Sequence, residues 1–167
     1  MEIRIRETGA VMLEDEFRAY QKANGGPSWD RTTDEVLEAL GADVVFEGPQ
    51  ATGGDHYQYS VRQGVEQMDG KWYTKYVLGP IFTDTTAEDG AVTTAAQNEA
   101  AYKAAKDAEQ AKSVRDTRNQ KLKDSDWTQL IDAPVDRQAW VVYRQELRDI
   151  TSQAGFPWDV QWPVQPE

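Results

Sequence analysis

From Ala91 to Lys123 the chain contains no glycine and no proline, and nine of these thirty-three residues are alanine. Alanine and the straight-chain residues between favour helix throughout. At about 1.5 Å per residue, some 30 residues span about 45 Å. Ala101, Ala104, Ala108 and Ala111 recur at steps of three and four, a heptad-like rhythm. Small side chains let helices approach closely but bury little apolar area. The spacing therefore predicts a helix over 91–123 that needs a partner. That partner can be another part of the chain, further copies of it in a homo-oligomer, or a different protein.

The chain supplies one candidate immediately downstream. Four of its six tryptophans, Trp127, Trp140, Trp158 and Trp162, lie between Asp124 and Pro163. Asp126 and Trp127 close the long helix, and Asp132-Ala133-Pro134 turns the chain. Trp140, Tyr143, Leu147 and Ile150 then recur at steps of three and four, which puts them on one face of a second helix. Gly155 stops that helix, and Phe156-Pro157-Trp158 returns in extended form. Two prolines restrict the tail after Val160 to an edge or a groove. The result is a helical hairpin clasped by its own tail, with Trp127, Trp140 and Phe156 as its core. Trp158 and Trp162 sit beside prolines and are candidates for docking on another subunit, since tryptophan is enriched at interface hot spots. Arg144 and Arg148, four apart, are candidates for pairing with the long helix or with a partner.

The N-terminal half reads differently. Met1 to Arg6 alternates apolar and charged residues and predicts a strand, with a short return at Val11–Leu13. Glu14 to Lys22 predicts a helix, broken by Asn24-Gly25-Gly26-Pro27. Asp34 to Leu40, capped by Thr32 or Thr33, predicts another, ended by Gly41. Strands are expected at Ala42–Glu47, at His56–Arg62 up to a turn at Gln63-Gly64, and on both sides of Asp69-Gly70, a strong hairpin signal. This is an antiparallel meander of two or three aromatic-rich strands. Gly79-Pro80 ends the sheet region, and the threonine-rich, acidic stretch 81–90 reads as a linker. The fold class is α+β, with an N-terminal domain over 1–80 and a helical domain over 91–167.

Charge and composition exclude several functions. Net charge is −11 over 167 residues. It is −9 over 1–98, +3 over 99–123 and −5 over 124–167. An acidic surface repels phosphate backbones, which argues against general nucleic-acid binding. No run approaches the roughly 18 apolar residues of a membrane span. The first residues lack the continuous apolar stretch of a signal peptide, so a cytoplasmic protein or a virion part released by lysis is expected. There is no cysteine and a single histidine, His56. A His/Cys pair and a typical zinc site are therefore out of reach. Gly25-Gly26 and Gly53-Gly54 lack the context of a phosphate loop. Glu14-Asp15-Glu16, Asp34-Glu35 and Asp124-Ser125-Asp126 are explained by helix ends and solubility rather than by paired-carboxylate catalysis. No catalytic residue, metal ligand or cofactor is expected.

The C-terminal stretch also carries a resemblance. Arg115-Asp116-Thr117-Arg118, Asp126-Trp127-Thr128-Gln129, Asp132-Ala133-Pro134, Tyr143-Arg144-Gln145 with Leu147-Arg148-Asp149, Gly155-Phe156-Pro157 and Trp162-Pro163 follow in an order and spacing that resemble the phage tail assembly chaperone domain. The likeness extends over about residues 112–163. Asp69-Gly70-Lys71-Trp72-Tyr73 resembles, less specifically, short β-segments of other phage tail and fibre-assembly proteins. The resemblance implies a non-enzymatic protein that binds other tail or tail-fibre proteins, assembled in the host cytoplasm. Retention in the virion tail is the first expectation. A transient chaperone absent from the mature virion is the alternative. Arg144, Arg148, Trp158 and Trp162 are the partner-binding candidates under either reading.

Overall fold

Alternation at the N-terminus puts Ile3 and Ile5 on one side of strand β1 (Glu2–Ile5) and Glu2 and Arg4 on the other. The isoleucines are buried. The computed structural model describes residues 1–167 and has two compact units, Met1–Ile81 and Phe82–Glu167.

In the first unit β1 pairs antiparallel with β2 (Val11–Leu13) and with β3 (Ala42–Phe46). Strand β4 (Tyr59–Met68) pairs antiparallel with β5 (Lys71–Gly79), and the sheet order is β2-β1-β3-β5-β4. The sheet is antiparallel, as read, except at one ladder: β5 runs parallel to β3, with Val45 opposite Trp72. Gly48 permits this arrangement. Its N–H donates to Thr74 Oγ1 at 2.7 Å, and a Cβ there would lie 2.0 Å from the Thr74 carbonyl oxygen. The chain leaving β3 is thus pressed against β5 itself.

Helices α1 (Glu14–Ala23) and α2 (Asp34–Ala39) cover one face of the sheet. Phe17 and Leu37 meet Ile3, Ile5 and Ala42 there, with Met12, Trp29, Leu40 and Val44 around them. Thr33 caps α2, accepting from the Val36 N–H at 3.4 Å. Arg18 fastens the loop between the helices. It donates to the Trp29 carbonyl at 2.6 Å and to Thr32 Oγ1 at 3.0 Å, and its guanidinium stacks on the Trp29 ring. The opposite face carries a polar cover. Arg4 stacks 3.9 Å from the Trp72 ring centroid, and Arg62 makes a two-pronged ion pair with Glu2 at 2.6 and 2.7 Å. Val45 lies buried on that face.

At the β4–β5 turn, Asp69 and Gly70 take positive φ of 48° and 78°, as a two-residue hairpin demands. Gln63-Gly64, read as a turn, is instead a bulge. The register shifts between Arg62 and Val65, and β4 continues as one ten-residue strand. Gly64, at φ 80°, absorbs the extra residue without reversing the chain. Of the two or three strands expected in this meander, the structure has two.

In the second unit α3 runs from Ala95 to Asp124, starting four residues later than the glycine-free run. Val92 and Thr93 form strand β7 and pair with β6 (Thr85–Thr86). Their β-branched side chains resist helix, and Thr94 is a better cap than a helical residue. Thr94 Oγ1 accepts from the Gln97 N–H while the Gln97 side chain accepts from the Thr94 N–H at 2.8 Å. Asp84 accepts from the Ala95 N–H at 2.7 Å, and Phe82 packs on Tyr102.

A short 3-10 turn at Asp126–Gln129 follows α3, then α4 (Arg137–Asp149) and a second 3-10 turn at Ile150–Ser152. Asp136 caps α4 by accepting from the N–H groups of Gln138 and Ala139. Trp140, Tyr143, Leu147 and Ile150 meet Val114 of α3 in the core, with Leu122, Val135, Phe156, Val160 and Trp162 around them. The predicted stripe on α4 is therefore the buried one. Trp127 departs from its expected place: it touches Trp140 at 6.2 Å between ring centroids but remains 49% exposed.

Candidate partner-docking surface

The tail of the second unit is held by specific bonds. Trp158 Nε1 donates to Asp107 Oδ1 of α3 at 2.6 Å. Arg115 lies over the Phe156 ring and Lys121 over the Trp162 ring. The Gln153 side chain accepts from the Gln161 N–H and donates to the Gln161 carbonyl, each at 2.8 Å. This amide satisfies a backbone that the prolines keep out of a sheet. Trp158 and Trp162 are thus half-buried against α3 rather than standing free.

Arg144 points inward. Only 7% exposed, it donates from Nη1 to the Leu122 carbonyl at 2.6 Å and to Ser125 Oγ at 2.7 Å. Nη2 reaches Asp126 Oδ1 at 2.7 Å. A cation against the last carbonyls of a helix also opposes the negative end of its dipole. Arg148, one turn on, stands exposed on α4. The four candidate residues therefore fall in three places: Arg144 within the hairpin, Trp158 and Trp162 along α3, and Arg148 on the outer surface of α4.

A different group gathers at the bend between α3 and α4. Beside half-exposed Trp127, Leu130 is 60% exposed and Ile131 94%. Val141 and Val142 of α4 are also exposed. From Asp124 to Asp136 the chain has four aspartates and no lysine or arginine. Sequence reading passed over Leu130 and Ile131, because two apolar residues beside a turn show no periodicity. The available signal was that very lack of a helix or strand to bury them.

Features suited to small-molecule chemistry are sparse. A depression of about 240 Å³ in the first unit is lined by Arg6, Glu38 and Asp43 among others, and Arg6 is paired with both carboxylates. No group of three or more side chains capable of holding a metal ion is gathered anywhere. No helix is long and apolar enough to cross a membrane.

Two helices locked at their junction by a buried arginine, clasped by a tail and left apolar at the bend, define a small helical module. Residues 111–167, roughly a third of the chain, match the family model described as phage tail assembly chaperone protein. The match begins at Ala111, the first buried residue of α3. The first unit and the alanine-rich half of α3 lie outside it. No curated protein and no solved structure matches the chain.

Proposed function

We propose that the protein is a tail assembly chaperone, one that holds an unfinished phage tail protein in the host cytoplasm and leaves before the virion is complete. The observation that carries this reading is the coincidence of the family match with the unit whose bend stays apolar and exposed. An exposed apolar cluster in an otherwise charged chain marks an interaction surface. The family description names an assembly role, not a catalysed reaction.

Sequence reading put retention in the virion first. The family description supports the transient role better, so the order is reversed here. Quantitative mass spectrometry on purified virions and on infected-cell lysate tests it. The protein is expected in the lysate, bound to a tail protein, and absent from virions at stoichiometric level. Stoichiometric presence in virions would restore the structural reading.

A further inference from the structure

The bend between α3 and α4 has a chemistry that selects its partner. Trp127, Leu130 and Ile131 fall within five residues, and all are about half or more exposed. Trp127 rests on buried Trp140, so one member of the cluster is anchored on the core. Asp124, Asp126, Asp132 and Asp136 surround it in sequence, with Lys123 and Arg137 at the two ends of the segment, and Arg144 is committed to Asp126 and to the end of α3. Resting on the chaperone reading, we propose that this bend is the docking site and that its occupant is a cationic amphipathic segment of the tail protein. That segment sets apolar side chains on Trp127, Leu130 and Ile131 and lysine or arginine against the aspartates.

Charge complementarity decides among occupants. The same bend of a second copy would bring two net-acidic segments together, and like charges across an interface are disfavoured. Nucleic acid is repelled for the same reason. A basic partner is steered in, and the apolar anchors then supply the desolvated centre typical of hot spots.

The test uses the full-length protein and two labelled peptides of roughly 18 residues, about five helical turns. One peptide carries leucine on one face and lysine on the other. The second replaces every lysine by glutamate. The wild type is expected to bind the lysine peptide at least about tenfold more tightly at about 0.15 M salt, where surface charges are partly screened. The double variant Leu130→Ser/Ile131→Ser, unchanged in charge, should weaken binding about fivefold or more by removing anchors. Its melting temperature should move little, because Leu130 is 60% and Ile131 94% exposed. Val164→Ser, at an 89% exposed site in the tail, is the control and should bind as wild type.

Equal binding of both peptides, or equal weakening by Val164→Ser, would overturn the proposal. So would a wild-type dimer in sedimentation that Leu130→Ser/Ile131→Ser dissolves, since a second copy would then be the occupant. Failure of the chaperone reading looks different. If the protein is stoichiometric in virions while peptide binding still requires Leu130 and Ile131, that reading falls and the docking site stands. If Leu130→Ser/Ile131→Ser still co-purifies with a tail protein at wild-type yield, the site falls and the reading stands.

Discussion

Arg144 of α4 donates a 2.6 Å hydrogen bond to the Leu122 carbonyl in the last turn of α3. With the bonds to Ser125 Oγ and Asp126, one guanidinium closes a helix that ends 20 residues before it in sequence. Ser125 and Thr128 complete the closure: Ser125 Oγ lies 2.8 Å from the Lys121 carbonyl, and Thr128 Oγ1 donates to the Ser125 carbonyl. The α3–α4 angle is set here by polar contacts, while the aromatic core fills the space behind.

Removing this arginine should therefore cost more than an exposed ion pair would. Asp126 is largely exposed and contributes little by itself. The orphaned carbonyl and hydroxyl carry most of the penalty. Arg144→Ala is expected to lower unfolding free energy by about 3 kcal/mol. Arg144→Lys keeps the charge but loses the fork, and should cost about half as much. Urea denaturation followed by tryptophan fluorescence checks both.

Gly155 is a second sensitive point. Its carbonyl accepts from the Trp158 and Asp159 N–H groups at 2.9 and 2.7 Å, and a Cβ would sit 2.1 Å from the Asp159 carbonyl oxygen. No flexible side chain can yield there, because the obstacle is backbone. Gly155→Ala should destabilise the second unit by about 2 kcal/mol. Limited proteolysis is expected to cut the tail after 155 faster than in the wild type.

Trp158→Phe isolates one bond in the tail. It keeps most of the ring but loses the Nε1 donation to Asp107. A hydrogen bond to a charged acceptor contributes about 1.5 to 3 kcal/mol. A fall in unfolding free energy of that order, with an unchanged circular dichroism spectrum, is expected.

The two units respond to opposite ends of the pH scale. Glu14 is held below the usual carboxylate range, first by the Thr32 hydroxyl and then by Arg18, and Glu38 is held there by the Arg6 guanidinium. A carboxylate lowered in the folded state adds stability above its unfolded pKa of about 4.3 and loses it as pH falls further. Tyr143 is shifted the other way, chiefly by burial and then by Asp124. Its contribution is complete below the unfolded tyrosine value of about 10 and disappears as pH rises past it. The urea midpoint should fall below about pH 4 and again above about pH 10. Glu38→Gln should shrink the first fall, and Tyr143→Phe the second.

The α4 stripe, the Asp69-Gly70 hairpin and a threonine cap at 32 or 33 were legible because each depends on a local period or a turn or cap residue. The start of α3 was not. Absence of glycine and proline marks where helix is permitted, but Val92, Thr93 and the competing cap at Thr94 decide where it begins. The parallel β3–β5 ladder was hidden because it depends on Gly48 meeting Thr74, 26 residues away. At the candidate surface, sequence singled out Trp158 and Trp162 by type, whereas their placement depends on Asp107 and Lys121 of α3. Leu130 and Ile131 are conspicuous only when the folded chain fails to cover them.

The bulge at Gln63-Gly64 lies on β4, an outermost strand of its sheet. A ten-residue strand with one free side is a template for stacking against a neighbour, and an inserted residue spoils the match partway along. On the proposed chaperone role, a protein that keeps company with half-built polypeptides runs a constant risk of being zipped into their aggregates. Gly64 makes the most inviting edge of this molecule an ill-fitting one.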